Sequence, residues 1–113
     1  MEFPVLQSFR ADELIEANAA SDLRYTEFLR VPAMSAGIYA LPAGSEDLQS
    51  PHAQDEIYYV LSGRSKFVCE NEIIDVGPGS FTYVAKQAVH RFFDIKEDLK
   101  IIVLFAPEEH SSS

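Results

Sequence analysis

At 113 residues with a formal net charge of −9, the chain has the length of one domain and a strongly acidic balance. That charge excludes a phosphate-tracking nucleic-acid partner and disfavours an anionic membrane surface. The single cysteine, Cys69, excludes an internal disulfide, the start lacks a basic stretch leading into an apolar one, and the apolar run 101–106 is too short to span a bilayer, so the expectation is a cytoplasmic protein that engages no membrane.

Residues 1–7 form a short apolar lead-in. Residues 8–20 read as a helix capped by Ser8, with Asp12 and Glu13 in its first turn and Leu14, Ile15, Asn18 and Ala19 along one side. Such a helix is too short to stand alone and is expected to lie against the outside of a β-structure.

From residue 24 the pattern becomes that of short strands separated by turns. Residues 24–30 are aromatic and β-branched and stop at Pro32; residues 35–41 close on Pro42-Ala43-Gly44. Residues 56–61 close on Ser62-Gly63. Residues 65–70 and 72–76 read as a hairpin turning near Asn71, and Gly77-Pro78-Gly79 is a further turn. Residues 80–84, 89–95 and 100–105 complete the set, and Pro107 opens a polar tail. This spacing predicts an all-β sandwich or barrel in one domain: residues 1–23 a helical segment packed on it, 24–107 the barrel, 108–113 the tail.

Alternate strand residues face opposite ways. Glu56, Tyr58 and Val60 therefore share one face, and Ile57, Tyr59 and Leu61 the other. Both faces are mostly apolar, as they are in residues 101–105. A small barrel needs only its inner face dry, so a second copy of the chain is expected to cover part of the outside, giving a homodimer. Tyr39, Tyr58, Phe67, Phe81, Tyr83 and Phe92 are candidates for the interior, and Arg91 points away from it.

The chain has three histidines, His52, His90 and His110. His110 lies in the tail and reads as a solvated bystander. His52 and Glu56 stand four residues apart just before a β-prone run. If the strand register survives the turn at residues 53–55, both face the same interior, and His90 at the start of another strand approaches from a neighbouring wall. Two neutral imidazoles and a carboxylate suit a divalent transition ion. The competing reading is that both histidines are hydrogen-bonded barrel residues, with Glu56 paired to Arg64 or Lys86. Gln54 and Asp55 sit between the two candidate ligands, where they could orient an imidazole.

The spacing of Gly44, His52, Glu56 and Gly63 resembles the first sequence motif of the cupins: glycine, five residues, His-x-His, three or four residues, glutamate, six residues, glycine. Ser50 stands where the first histidine of the pair belongs. Gly79 and His90 fall on the second motif, in which Ala85 replaces a proline, Gln87 a glycine and Asp94 an asparagine. The resemblance implies a single-domain cupin β-barrel, a jelly roll, with His52, Glu56 and His90 as ligands of one divalent transition-metal ion (Fe, Mn, Ni, Co or Zn). Gln49, beside Ser50, is a candidate fourth ligand through its amide oxygen; otherwise that position is left to water or substrate. It further implies a small metal-dependent enzyme, dioxygenase-, isomerase- or lyase-like, acting on a small oxygenated metabolite, with Glu56 or Tyr58 moving a proton. The alternative is a non-catalytic small-ligand or metal-binding sensor module.

Overall fold

The computed structural model describes residues 4–110. Residues 1–3 of the lead-in and the closing serines 111–113 lie outside the described residues. One helix, α1 (Ala11–Ser21), precedes eight strands: β1 (Tyr25–Val31), β2 (Met34–Leu41), β3 (Asp55–Ser62), β4 (Ser65–Cys69), β5 (Glu72–Val76), β6 (Phe81–Val84), β7 (His90–Phe93) and β8 (Leu99–Ala106). They form two antiparallel sheets, ordered β1-β2-β8-β3-β6 and β5-β4-β7. The pairings β2–β8, β3–β8 and β4–β7 join strands distant in sequence. This is the all-β architecture that the turn spacing predicts, in the jelly-roll form that the motif resemblance implies. β1 ends at Val31 because Pro32 cannot donate to a ladder. No helix among the described residues is long and apolar enough to cross a membrane.

The helix begins three residues later than expected, and Ser8 does not cap it. Arg10, in extended backbone, holds the N-cap position without a side-chain cap bond. Asp12 Oδ1 instead accepts the Glu13 N–H at 3.0 Å. The helix docks on β1 and β2 mainly through a polar anchor. Asn18 is buried, and its Nδ2 donates to Thr26 Oγ1 at 2.9 Å, close to the carbonyl oxygens of Leu23, Arg24 and Ile38. Leu14 and Ile15 are half-buried, whereas Ala19 is exposed.

The core lies between the sheets. β8 turns Leu99, Ile101, Val103 and Phe105 inward, β4 contributes Phe67 and β7 Phe92. The Phe67 and Phe92 rings pack 4.7 Å apart, and Tyr58 meets Phe92 edge-on at 5.1 Å. Burying each such aromatic side chain stabilises the fold by about 2–3 kcal/mol before conformational entropy is counted. The expected alternation in β3 holds: Glu56, Tyr58 and Val60 are buried, while Tyr59 is exposed.

Two interior candidates face outward. In the β3–β6 register Glu56 pairs with Val84 and Tyr58 with Thr82. Period-two alternation therefore turns Thr82 and Val84 in and leaves Phe81 and Tyr83 exposed by 68 % and 61 %. Gly63, between β3 and β4, has φ +94°, and a Cβ there would lie 2.2 Å from the Asp98 carbonyl oxygen. The chain can pass β8 only with a glycine at this point.

Candidate functional site

Three elements supply the interior polar groups. Glu56 projects from β3, His90 opens β7 on the opposing sheet, and His52 lies just ahead of the bend that leads into β3. His90 Nε2 lies 2.9 Å from Glu56 Oε2, and His52 Nε2 lies 3.4 Å from Glu56 Oε1. The carboxylate thus stands between the two imidazoles, whose ring centres are 6.3 Å apart. It does not pair with Arg64 or Lys86. The local turn helps: the Gln87 N–H donates to the His52 carbonyl at 2.7 Å, so the β6–β7 loop holds His52 in place.

The Glu56 and His90 side chains are almost fully buried, each 1 % exposed. Burial by itself lowers the His90 pKa. The Glu56 and Ala88 hydrogen bonds and the Glu56 and Asp47 charges outweigh it, and the net shift is upward. His90 Nδ1 lies 2.8 Å from the Ala88 carbonyl, an acceptor that keeps a proton on Nδ1 and leaves Nε2 as the ring nitrogen facing Glu56 and Tyr58. Glu56 Oε1 is buried without a hydrogen-bond partner.

Tyr58 sits on the same face as Glu56, as its parity predicts. Its hydroxyl is 2.9 Å from His90 Nε2, 3.0 Å from Gln49 Oε1 and 3.2 Å from Glu56 Oε2. Desolvation, then the Glu56 and Asp47 charges, hold its pKa well above the ordinary phenol value. Gln49 is half-buried and turned into the site, whereas Ser50, at the motif's histidine position, is exposed.

Sequence reasoning missed Asp47. It is buried, and Phe92 N–H donates to its Oδ2 at 2.9 Å, Gln49 Nε2 to the same oxygen at 2.6 Å, and the Tyr39 hydroxyl to Oδ1. No motif spacing marks it; a lone aspartate in a loop reads as a solvated turn residue. Asp55 turns away from the imidazoles: its Oδ1 accepts Tyr83 OH at 3.1 Å and Lys86 N–H at 2.9 Å, tying β3 to β6. Gln54 is buried.

A cavity of about 150 Å³ opens beside the cluster. Gln49, His52 and Tyr58 line one side, and Tyr25, Tyr39, Val103, Phe105 and Glu109 the rest. Tyr25 and Glu109 were also missed. Gly37 makes room for Tyr25, since a Cβ at Gly37 would lie 2.4 Å from the phenol ring. Glu109 arrives because the tail folds back: its backbone N–H donates to the buried Ser35 Oγ at 2.8 Å. Nor is His110 isolated. Its Nε2 is 3.6 Å from Glu27 Oε1, although the side chain is 52 % exposed.

Among the described residues, Glu27, Glu109 and His110 form the group whose ligand atoms all lie within 4.8 Å of one another. His52, Glu56 and His90 are more open, because Glu56 reaches one imidazole with each oxygen. Their donor types fit a borderline transition ion, and Glu56 Oε1 is buried there without a hydrogen-bond partner. Closing around one ion would require His52, whose side chain is 26 % exposed, to move inward.

The fold and this buried histidine–carboxylate cluster define a small jelly-roll barrel with a polar interior site at one end. Residues 37–105 match the family model described as "Cupin domain". The chain belongs to the cupin family. An uncharacterized protein of Streptomyces coelicolor is 47 % identical over 104 residues, covering 92 % of this chain and 99 % of that protein. Among solved structures, the Thermus thermophilus protein TT1209 superposes with a TM-score of 0.70 at 20 % identity, covering 91 % of this chain and 99 % of the other. KdgF from a Halomonas species gives 0.67 at 23 % identity, covering 74 % and 76 %. The DMSP lyase DddQ from Ruegeria pomeroyi gives 0.69 at 19 % identity, covering 79 % of this chain and 50 % of that one. At these identities the structural likeness carries the fold.

Proposed function

We propose that the protein is a metal-dependent cupin enzyme acting on a small oxygenated metabolite, with His52, Glu56, His90 and Gln49 holding one divalent transition-metal ion. The observation that carries this reading is the 2.9 Å approach of His90 Nε2 to Glu56 Oε2 while Nδ1 faces the Ala88 carbonyl. With the proton on Nδ1, two acceptors face each other in a dry interior. The Tyr58 hydroxyl can answer one of them at a time; a metal ion would answer both, and the orphaned Glu56 Oε1 as well. Bound there, such an ion would polarise a substrate oxygen.

The chain's own groups then divide the work. Gln49 offers its amide oxygen, because Asp47 occupies its amide nitrogen. Tyr58, held as the neutral phenol, donates its proton in a hydrogen bond to an oxygen at the site. Glu56 is the carboxylate within reach of that hydroxyl, at 3.2 Å, and accepts a proton from substrate through whichever oxygen is free. A buried carboxylate beside a phenol favours proton-transfer chemistry, isomerase- or lyase-like, over dioxygenase chemistry. A lyase on the same fold, the Ruegeria protein, agrees with that class. Val103 and Phe105 keep the opposite wall dry. The exposed outer face of β3 and β6 supports a homodimer as the working form.

Elemental analysis of the purified protein tests the reading. One equivalent of a transition metal is expected in the parent and its loss in His52→Ala and His90→Ala. Equal metal content in all three, or none in protein reconstituted with each candidate ion, would overturn it. Bound metal without turnover of any small oxygenated substrate would leave the non-catalytic module as the answer.

A further inference from the structure

We propose that the cavity beside the cluster takes a small organic cation, with a quaternary ammonium or sulfonium head against the Tyr25–Glu109 wall and an oxygen toward His52 and Glu56. The placement of that oxygen rests on the metal reading above. The positive head rests on the opposite wall alone.

That wall is acidic, and the basic groups beside it already face Glu27 or Glu108. Glu109 lines the cavity, and none of the lining residues is a lysine or arginine. The Glu27 and Glu109 carboxylates approach within 4.8 Å of each other. The adjacent Arg30 is engaged elsewhere, at 2.8 Å from Glu27 Oε2 and 3.7 Å from Glu108. His110, half-exposed, is the remaining basic group at 3.6 Å from Glu27 Oε1. A carboxylate or phosphate entering here would meet the Glu109 carboxylate and no lysine or arginine on the lining.

Buried polar atoms mark the same end of the barrel as incomplete. Tyr25 OH, Glu27 Oε1 and Glu56 Oε1 are buried without hydrogen-bond partners. Glu56, 2 % exposed, does not itself line the cavity; it stands behind the lining residue His52, whose Nε2 lies 3.4 Å from the orphaned Glu56 Oε1. A ligand spanning the cavity with an oxygen at the His52 end and a positive charge at the Tyr25–Glu109 end answers both ends.

The aromatic lining selects the kind of cation. Tyr25 stands edge-on to Tyr39 at 6.5 Å and to Phe105 at 6.2 Å, so rings rather than amides surround the space beside Glu109. Alkylated cations suit such walls, because they surrender little hydration and are attracted to ring faces. Size agrees: a cavity of about 150 Å³ holds one benzene-sized molecule, roughly six to eight heavy atoms. The wall is also fixed in place, since the Glu109 backbone is bonded to the fully buried Ser35.

Calorimetric titration with choline and with its uncharged isostere, in which carbon replaces the nitrogen, tests the proposal. Both metal-loaded and chelator-stripped protein are used. Choline is expected to bind about tenfold more tightly than the isostere in both forms. Glu109→Gln should abolish the preference, and Glu109→Lys should reverse it, with melting curves confirming that each variant folds. Equal affinities in the parent, a preference that survives Glu109→Gln, or no choline binding up to about 10 mM would overturn the proposal. So would a second equivalent of divalent metal that excludes choline and disappears in Glu109→Gln, which would make the wall an inorganic ion site. Failure of the metal reading would look different: no bound metal, with the choline preference of the stripped protein intact.

Discussion

Gln49 Nε2 lies 2.6 Å from Asp47 Oδ2, and this contact decides which end of the Gln49 amide faces the barrel. With its nitrogen occupied, Gln49 turns its oxygen to Tyr58, 3.0 Å away. Asp47 is itself fixed by the Phe92 N–H and the Tyr39 hydroxyl. The loop therefore presents an oxygen donor close to where the cupin motif would present a histidine.

Asp47→Asn would replace one acceptor with a donor and free the amide to turn over. Competition with a coloured chelator should show metal affinity falling about 10–100-fold, the usual effect of losing a group that orients a ligand. Stability should fall by about 1–3 kcal/mol, because a buried donor loses its acceptor. Destabilisation with unchanged metal affinity would remove Gln49 from the ligand set.

Gln87 occupies the position that the second motif assigns to glycine, and it adopts φ +66°. The turn has kept its left-handed geometry without the residue that adopts it most easily. The Gln87 side chain is exposed, while its N–H holds the His52 carbonyl. Gln87→Gly should preserve that bond and relieve strain worth about 1 kcal/mol. A thermal melt should rise by about 4 °C or somewhat more, with metal content unchanged. A lower melting temperature would mean that the glutamine side chain contributes more than its backbone costs.

The strands were legible in the sequence because turn residues and alternation are local. Pro32, Gly63 and the Gly77–Gly79 turn bound strands close to where they fall, and the parity of Glu56, Tyr58 and Val60 gave the inner face of β3. The approach of His52, Glu56 and His90 to one another was also within reach, since the motif spacing carries it. What failed needed pairing information. Phe81 and Tyr83 looked like core by composition, but the β3–β6 register turns them outward. Tyr25 and Glu109 come from the edge strand and the returning tail, and only the folded chain brings them to one cavity, while Asp47 reaches that cavity from a loop through its bonds to Gln49 and Tyr39. The helix start was missed because Asp12, not Ser8, serves the first turn.

The outward turn of β6 has a consequence for assembly. Phe81 meets Tyr59 at 6.4 Å, and Ile57 lies between Tyr83 and Leu104 in the ladder, giving a continuous apolar surface on the larger sheet. A homodimer formed through this face should appear by light scattering as twice the chain mass. Phe81→Glu would bury an unpaired charge there and should weaken association by about a hundredfold, leaving a folded monomer at micromolar concentration. A dimer that persists unchanged in Phe81→Glu would place the interface elsewhere.

Glu109 carries a stability cost that pH should reveal. Burial, ahead of the opposing His110 and His52 charges, raises its carboxyl pKa above the ordinary value of 4.5. In the unfolded chain the proton leaves at that ordinary value, while the folded chain holds it to higher pH. The folded state thus binds more protons between the two pKa values, and stability falls as pH rises through that window. Below it both states are protonated and the cost vanishes; above it the cost is constant. Glu109→Gln should accordingly melt with the parent at acid pH and above the parent at neutral pH. Choline should narrow the neutral gap by stabilising the parent alone, because its charge offsets the one that the fold keeps at Glu109. A variant that melts below the parent at every pH would instead mean that the carboxylate stabilises the tail it sits on.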